Sequence, residues 1–153
     1  MEPYKILISD SLHADAISWL ESLSDIDVDS QPGIEADELL HIIDQFHGLI
    51  VRSRTKVRTE ILKKAQNLKV IGRAGTGLDN IDVDAAKRAG IQVLNSPGAN
   101  ANAVAELAIG LMIALARNFP GNFTATKKPK TYGWELRDKT LGILGLGQIG
   151  SRV

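Results

Sequence analysis

Two apolar segments of the sequence, GLIV and LKVIG, end in residues that could bind an anion. Arg52 and Arg54 follow the first segment, and Arg73, Gly75 and Gly77 follow the second in the loop GRAGTGLDNID. A guanidinium group binds a carboxylate or a phosphate through two parallel hydrogen bonds, and closely spaced glycines let backbone N–H groups converge on the same anion. If both segments are parallel strands, their carboxyl ends meet at one edge of the sheet, where ligands usually bind. The pattern therefore predicts a site for a small carboxylate or phosphate.

The arginines and glycines of these two loops each allow two interpretations. Arg52 and Arg54 alternate along an extended chain and so point to opposite sides, which would let one of them reach an anion held beside Arg73. Alternatively, both could be solvated arginines in a loop. Gly75 and Gly77 could serve only to give the backbone the positive φ angles of a turn.

A second glycine motif lies at the end of the sequence, after the apolar segment TLGILGL (140–146), which we interpret as a buried strand. Gly145, Gly147 and Gly150 form the pattern G-x-G-x-x-G. In a dinucleotide-binding unit the first glycine permits a tight turn, the second lets the backbone approach a pyrophosphate, and the third lets helix and strand pack closely. The N-terminus of the following helix offers free N–H donors. The pattern predicts a pyrophosphate site, and the alternative is a glycine-rich turn without a ligand.

Several polar residues stand at predicted helix starts. Asn80 or Asp82 could cap one helix, and Asn100 or Asn102 could cap another, although the amides of the last two could also bond a substrate or a cofactor ribose. The sequence contains three histidines, His13, His41 and His47. None of them follows a strand beside a glycine loop, so we predict no histidine acid–base group and no metal site.

Length and composition allow one ordinary domain, or a small domain with part of another. The 153 residues carry 18 basic and 18 acidic side chains, so the formal net charge is zero, and there is no cysteine. These values give no reason to expect nucleic acid or an anionic membrane as a partner, and they exclude disulfides and cysteine nucleophiles. The apolar stretch 103–116 is too short to span a bilayer and contains Glu106, so we interpret it as a buried helix. We expect a cytoplasmic protein.

Apolar runs alternate with helical patterns along the first hundred residues, which is typical of a parallel sheet covered by helices on both faces. We predict strands at 5–9, 25–29, 48–51, 68–72 and 91–95 and helices at 13–23, 35–46, 59–65 and 82–90. Five strands and four helices make a flavodoxin-like doubly wound α/β domain. A long helix from about 102 to 117 follows, then an irregular connection at 118–139 and the first strand of a truncated Rossmann domain.

Three segments together resemble a known family. LIVRSRTKV, VIGRAGTGLDNIDVDAAKRAGIQVLNSPGANANAVAELAIGLMIALAR and LRDKTLGILGLGQIGSRV are similar in order and spacing to the N-terminal half of the NAD-dependent D-2-hydroxyacid dehydrogenases. Within that family, the opening KILISDSL and the loops VRSRT and GRAGTGLDNID are most similar to the branch that acts on a phosphorylated hydroxy acid. The resemblance covers nearly the whole chain.

The resemblance implies a role for each part of the chain. Residues 1–97 would form the substrate-binding domain, and residues 98–153 would begin the NAD-binding domain, whose helix at 102–117 would contribute to a homodimer interface. The implied substrate-binding residues are Arg52, Ser53, Arg73, Ala74, Gly75, Thr76, Gly77 and Asn100. The implied cofactor-binding residues are Thr76, Gly145, Gly147, Gln148, Ile149 and Gly150.

The family's catalytic arginine, glutamate and histidine lie after the glycine fingerprint, as does the acid that selects NAD over NADP. No catalytic residue can therefore be assigned in this chain, and we expect the chain to be inactive by itself. Two alternatives remain open from the residues alone. The chain could belong to another member of the family, acting on glycerate, lactate or a related acid, or it could be a non-catalytic module that binds a small anion.

Overall fold

The computed structural model describes residues 2–119 and 132–153. The chain divides into two compact units, Met1–Pro97 and Gly98–Val153. The connection predicted at 118–139 lies partly outside the described residues, since positions 120–131 belong to it.

The first unit is a parallel sheet of five strands in the order β2-β1-β3-β4-β5, which confirms the predicted doubly wound fold. The strands are β1 (Tyr4–Ile8), β2 (Ile26–Ser30), β3 (Gly48–Val51), β4 (Val70–Arg73) and β5 (Gln92–Asn95). The helices are α1 (Ala14–Glu21), α2 (Ala36–Ile42), α3 (Thr59–Lys64) and α4 (Val83–Arg88). This strand order places β1 beside β3, so the loops that follow these two strands are neighbours at the carboxyl edge.

The core lies around the three central strands. Leu7, Leu49 and Ile71, one from each of β1, β3 and β4, are fully buried. The outer strands β2 and β5 keep an exposed or half-exposed side. Burial of one large apolar side chain contributes about 1.5–3 kcal/mol to stability, so these central positions hold the sheet together.

The second helix is shorter than predicted because its end tightens. A helix was predicted to Phe46, but α2 ends at Ile42 and is followed by a single 3-10 turn, Ile43–Gln45. Side chains three residues apart lie on the same side of a 3-10 turn. Ile43 and Phe46 are both buried, so the tighter turn carries both into the core.

Asp82, and not Asn80, caps α4. The Asp82 carboxylate accepts hydrogen bonds from the Ala85 N–H at 2.9 Å and from the Thr59 hydroxyl at 3.0 Å. These two bonds, first the one from Ala85 and then the one from Thr59, lower the pKa of Asp82 below its usual value. The second bond also ties the start of α3 to the start of α4.

The second unit begins with α5 (Ala101–Ala116). The prediction of a buried helix is wrong for much of its surface, because Leu107, Leu111 and Leu115 are exposed. Its apolar residues occupy every side of the helix, and the described part of this unit contains no second helix or strand to cover them. Among the described residues, no helix combines the length and the apolar character that a membrane crossing requires.

Residues 140–146 do not pair with another strand in the described part of the chain, although we predicted a strand there. Leu144 is fully exposed and Leu146 largely so. A β-strand is stabilised by hydrogen bonds to its neighbours, so an apolar segment without a partner strand lacks the ladder that defines one.

Candidate functional site

Asp10 fixes the loop that carries Arg52 and Ser53. It follows β1 and is 4% exposed. Its carboxylate accepts hydrogen bonds from the Arg52 N–H at 2.6 Å, from the Thr55 N–H at 3.2 Å and from the Thr55 hydroxyl at 2.8 Å. The loop after β3 is therefore held at both of its ends by one buried side chain, which the sequence analysis did not identify.

Two opposing effects set the pKa of Asp10. Burial favours the neutral acid and would raise its pKa. The hydrogen bonds from the Thr55 hydroxyl and from the backbone N–H groups of Arg52, Thr55 and Arg54 outweigh burial together, and the pKa is lowered. Asp10 is therefore an ionised anchor at neutral pH, and its acceptor positions are directed at the loop.

Asn80 holds the same loop from the other side. Its Nδ2 group donates to the Arg52 carbonyl at 3.0 Å and to the Thr55 carbonyl at 2.8 Å, and the side chain is 1% exposed. Val57 and Ile81 form a parallel bridge immediately beyond. The loop therefore has its backbone N–H groups bonded to Asp10 and its carbonyl groups bonded to Asn80.

The three arginines are directed to different partners. Arg52 donates from Nη1 to the Ser11 carbonyl at 3.1 Å. Arg54 donates to the Ile34 carbonyl at 3.0 Å and forms an ion pair with Glu35 at 2.5 Å. The two side chains therefore bond to different segments of the first unit. Both side chains border a hollow at the carboxyl ends of β1, β2 and β3.

Arg73 lies over the glycine loop that follows β4. Its Nε donates to the Arg52 carbonyl at 3.0 Å, and its Nη2 lies 3.4 Å from the Ser53 hydroxyl oxygen. The guanidinium group packs so closely on Gly75 that a Cβ there would overlap it. Neither Gly75 nor Gly77 has a positive φ. Glycine at position 75 therefore leaves room for the Arg73 guanidinium and does not serve a positive φ, and a larger residue there would displace the end of that side chain.

The backbone of the glycine loop is bonded on both sides. The Gly75 N–H donates to the Arg73 carbonyl at 2.8 Å, and the Ala74 N–H donates to the Val51 carbonyl at 2.8 Å. The Asn95 amide donates to the Thr76 carbonyl at 2.6 Å. The predicted convergence of N–H groups on an anion is thus reduced, because the Gly75 and Ala74 donors already have partners.

The fingerprint in the second unit has the three backbone features that its glycines predict. Gly145 has a φ of 92°. A Cβ at Gly150 would overlap the Gly145 carbonyl oxygen, whereas no atom lies within 4 Å of the corresponding position at Gly147. The Ser151 N–H donates to the Gly147 carbonyl at 3.1 Å, which begins a helical turn. The motif therefore makes a tight turn at Gly145, leaves open space beside Gly147 and brings Gly150 into close contact with the Gly145 carbonyl.

The neighbouring asparagines differ from each other. Asn100 occupies the N-cap position of α5 without a side-chain capping bond. Asn102 accepts a hydrogen bond from Arg152 Nε at 2.7 Å and is not a cap. In the same unit, Gln148 packs 3.5 Å from the position of a Cβ on Gly98. The start of α5 and the fingerprint are therefore in contact.

The histidines are engaged in local contacts. His47 Nδ1 accepts from the Lys5 N–H at 3.0 Å, and His41 Nδ1 lies 2.6 Å from the Asp37 carbonyl. His13 was predicted to lie on α1 but caps that helix, accepting from the Asp15 N–H at 3.3 Å. In the described ranges, no group of three or more acidic, histidine or cysteine side chains could hold a metal ion.

Removal of the Thr55 hydroxyl tests the anchor at Asp10. Thr55→Val leaves the shape similar but takes a donor from a buried carboxylate, so we expect the free energy of unfolding at pH 7 to fall by about 2 kcal/mol. Thr55→Ser keeps the hydroxyl and should lose only about 0.8 kcal/mol for the missing methyl group. Urea unfolding of both variants measures the difference.

The pH dependence of that difference follows from the lowered pKa of Asp10. Ionised Asp10 stabilises the fold above its unfolded-state pKa of about 3.9, and this contribution is lost as the pH falls through the lower folded-state value. The difference in the free energy of unfolding between Thr55→Val and Thr55→Ser should therefore become smaller in acid. An equal gap at pH 7 and in acid would contradict the assignment of Asp10 as a charged anchor.

Two alanine substitutions test the geometry of the fingerprint. Gly150→Ala should displace the turn at Gly145 and cost about 1–3 kcal/mol, because its Cβ overlaps a backbone oxygen. Gly147→Ala is the matched control, since its Cβ points into open space. Amide chemical shifts of residues 145–153 report the effect. Unchanged Gly145 shifts in Gly150→Ala would show that the close crossing is absent in solution.

Comparison with known proteins identifies the family. Residues 6–140 match the model for the catalytic domain of D-isomer-specific 2-hydroxyacid dehydrogenases. A D-3-phosphoglycerate dehydrogenase from Methanocaldococcus jannaschii is 48% identical over 97% of this chain and 29% of its own length. A hydroxypyruvate reductase from Thermotoga maritima is 46% identical over 100% of this chain and 51% of its own length.

Solved structures have the same fold. The 3-phosphoglycerate dehydrogenase of Entamoeba histolytica with bound NAD+ is 36% identical, with a TM-score of 0.77 over 98% of this chain and 49% of that one. The TT0316 protein of Thermus thermophilus is 28% identical, with a TM-score of 0.84 over 97% of this chain and 50% of that one. The chain thus spans about half or less of the length of these relatives. With a family model matching residues 6–140, it belongs to the D-isomer-specific 2-hydroxyacid dehydrogenases.

Proposed function

We propose that this chain supplies the substrate-binding domain, residues 1–97, and the start of the NAD-binding domain, residues 98–153, of an enzyme that oxidises D-3-phosphoglycerate to 3-phosphohydroxypyruvate with NAD. The observation that carries the proposal is the packing of the Arg73 guanidinium on Gly75 beside Ser53. This arrangement puts a fixed cation next to a glycine loop at the carboxyl edge of the sheet.

The substrate has two anionic ends, and the loops after β3 and β4 offer groups for both. The carboxylate would be held by the backbone around Gly75, Thr76 and Gly77, with Ala74 supporting the loop. The phosphate, which carries a charge of about −1.5 to −2, would be bound by Arg52 and Arg73. The Ser53 hydroxyl could add a hydrogen bond, and the family resemblance also assigns Asn100 to the substrate-binding residues.

The cofactor would bind through the fingerprint. Gly147 has open space above it, which fits the close approach of a pyrophosphate, and Gly145 and Gly150 shape the turn. Gln148 and Ile149 lie in the turn that follows Gly147 and would meet the pyrophosphate together with that glycine. The family resemblance also assigns Thr76 to the cofactor-binding residues. NAD supplies the hydride acceptor, and the protein residues named here bind and orient the two molecules.

A second candidate is reduction of hydroxypyruvate or a related unphosphorylated acid, because the Thermotoga maritima relative named hydroxypyruvate reductase is 46% identical. The two candidates differ in the need for a cation at the far end of the substrate. Arg52 and Arg73, both at the carboxyl edge, favour the phosphorylated acid.

A titration separates these candidates. We expect D-3-phosphoglycerate, at ten times its dissociation constant, to stabilise the chain by about 1.4 kcal/mol, which raises the melting temperature by a few degrees. Glycerate at the same concentration should have a smaller effect. Arg73→Gln should remove the preference for the phosphorylated acid. Arg88→Gln is the matched control, because Arg88 ends α4.

Equal shifts of the melting temperature with D-3-phosphoglycerate and with glycerate would favour the unphosphorylated substrate. No shift with either acid at millimolar concentration would contradict the assignment of residues 1–97 as a substrate-binding domain. An equal response of Arg73→Gln and Arg88→Gln would exclude Arg73 from the phosphate site.

We also propose that α5 contributes to a homodimer. Leu107, Leu111 and Leu115 are spaced four residues apart and form an exposed apolar ridge. We expect the chain to sediment as a dimer and Leu111→Glu to shift it to monomer. Asn102→Asp, which adds the same charge at the start of the helix, is the control. A monomeric wild-type chain would contradict the proposal.

A further inference from the structure

Asn80 is a buried amide that is bonded at only one of its two polar atoms. Its Nδ2 uses both hydrogens, on the Arg52 and Thr55 carbonyls. Its Oδ1 is buried and has no hydrogen-bond partner among the described residues. Leaving a buried acceptor unpaired is unfavourable. The two bonds that Nδ2 donates are the side-chain hydrogen bonds by which Asn80 acts on the loop after β3.

One of those two bonds leads directly to the candidate site. The Arg52 carbonyl accepts from Asn80 Nδ2 at 3.0 Å and also from Arg73 Nε at 3.0 Å. A carbonyl oxygen has two lone pairs, so it can serve both donors at once. Asn80 thus fixes the position of the oxygen that orients the Arg73 guanidinium.

The Nε bond controls the plane of the guanidinium group. Arg73 has a second contact, from Nη2 to the Ser53 hydroxyl, but that distance is 3.4 Å and the hydroxyl can rotate. The Nε bond is shorter and goes to a backbone atom that Asn80 holds. With the Nε bond in place, Nη1 lies against Gly75, at the glycine loop.

We propose that Asn80 is a positioning residue that sets the preference for a phosphorylated substrate, acting through the Arg52 carbonyl on the Arg73 guanidinium. The inference rests on the proposed function, in which Arg73 binds the phosphate. A cation held in its binding orientation loses less conformational entropy when the anion arrives. Loss of Asn80 therefore weakens binding of the phosphorylated acid and leaves binding of the carboxylate end nearly unchanged.

The first measurement needs no ligand. The Arg73 Nε–H resonance, assigned by its absence from Arg73→Lys, exchanges slowly with water when it is hydrogen-bonded. In Asn80→Ala we expect this exchange to accelerate about fivefold, the ratio that corresponds to one ordinary hydrogen bond. Phe46→Leu is the control, because Phe46 is a core residue just before β3, at the opposite edge from the site. It lowers stability without touching these bonds, so the exchange should not change.

The second measurement is the ratio of the dissociation constants for glycerate and D-3-phosphoglycerate, obtained by calorimetry well below the melting temperature of each variant. We expect Asn80→Ala to lower this ratio about fivefold, with the glycerate constant changing less than about twofold. A merely structural role would lower the melting temperature, as in Phe46→Leu, and leave the ratio at its wild-type value.

If Asn80→Ala does not fold, Asn80→Ser replaces it, since a serine hydroxyl can donate to only one of the two carbonyls. The Thr55 and Arg52 carbonyls then compete for the serine hydroxyl. We therefore expect the Arg73 Nε–H exchange rate and the ratio of dissociation constants to lie between those of the wild type and of Asn80→Ala. Unchanged Arg73 exchange in a folded Asn80 variant overturns the inference. Faster exchange with an unchanged ratio overturns the role in specificity. A wild-type chain that does not prefer the phosphorylated acid overturns the proposed function, while the exchange measurement still decides whether Asn80 orients Arg73.

Discussion

The hydrogen bonds that satisfy the backbone of residues 52–55 determine where the arginines of the site can be. A loop at the carboxyl edge of a parallel sheet has N–H and C=O groups that no strand can pair, and burying them unpaired is unfavourable. Asp10 accepts from the N–H groups of Arg52 and Thr55, and Asn80 donates to their carbonyls. Two buried side chains on opposite sides therefore stabilise this conformation of the loop.

The strand order makes this arrangement possible. In the order β2-β1-β3-β4-β5, β3 lies between β1 and β4. Asp10 follows β1 and Asn80 follows β4, so the loop after β3 has an acceptor on one side and a donor on the other. With a formal net charge of zero, the protein has no long-range field to attract an anion. In the proposed function, the local placement of individual guanidinium groups attracts the anion instead.

The sequence predicted the elements better than it predicted the contacts between them. Alternating apolar periods specify a parallel sheet, and all five strands and four helices of the first unit formed near their predicted positions. The anchoring role of Asp10 was not predicted, because it depends on β1 lying beside β3 and no local sequence pattern indicates which strands are neighbours. Asn80 was considered as a helix cap for the same reason, since capping is a local rule and burial is not. The segment 140–146 has the composition of a strand but no ladder among the described residues, because a strand needs a partner that its own sequence does not contain.

The two loops both contain closely spaced glycines, but for different physical reasons. In the fingerprint, Gly145 is required by a positive φ and Gly150 by the close approach of a backbone oxygen. In the loop after β4, Gly75 leaves room for a side chain, the Arg73 guanidinium, and φ is not positive there. Glycine in the first case shapes the backbone, whereas glycine in the second case makes room for a cationic side chain. A glycine-rich loop therefore indicates close approach, and only the neighbouring residues decide whether the group that approaches is a ligand or an arginine.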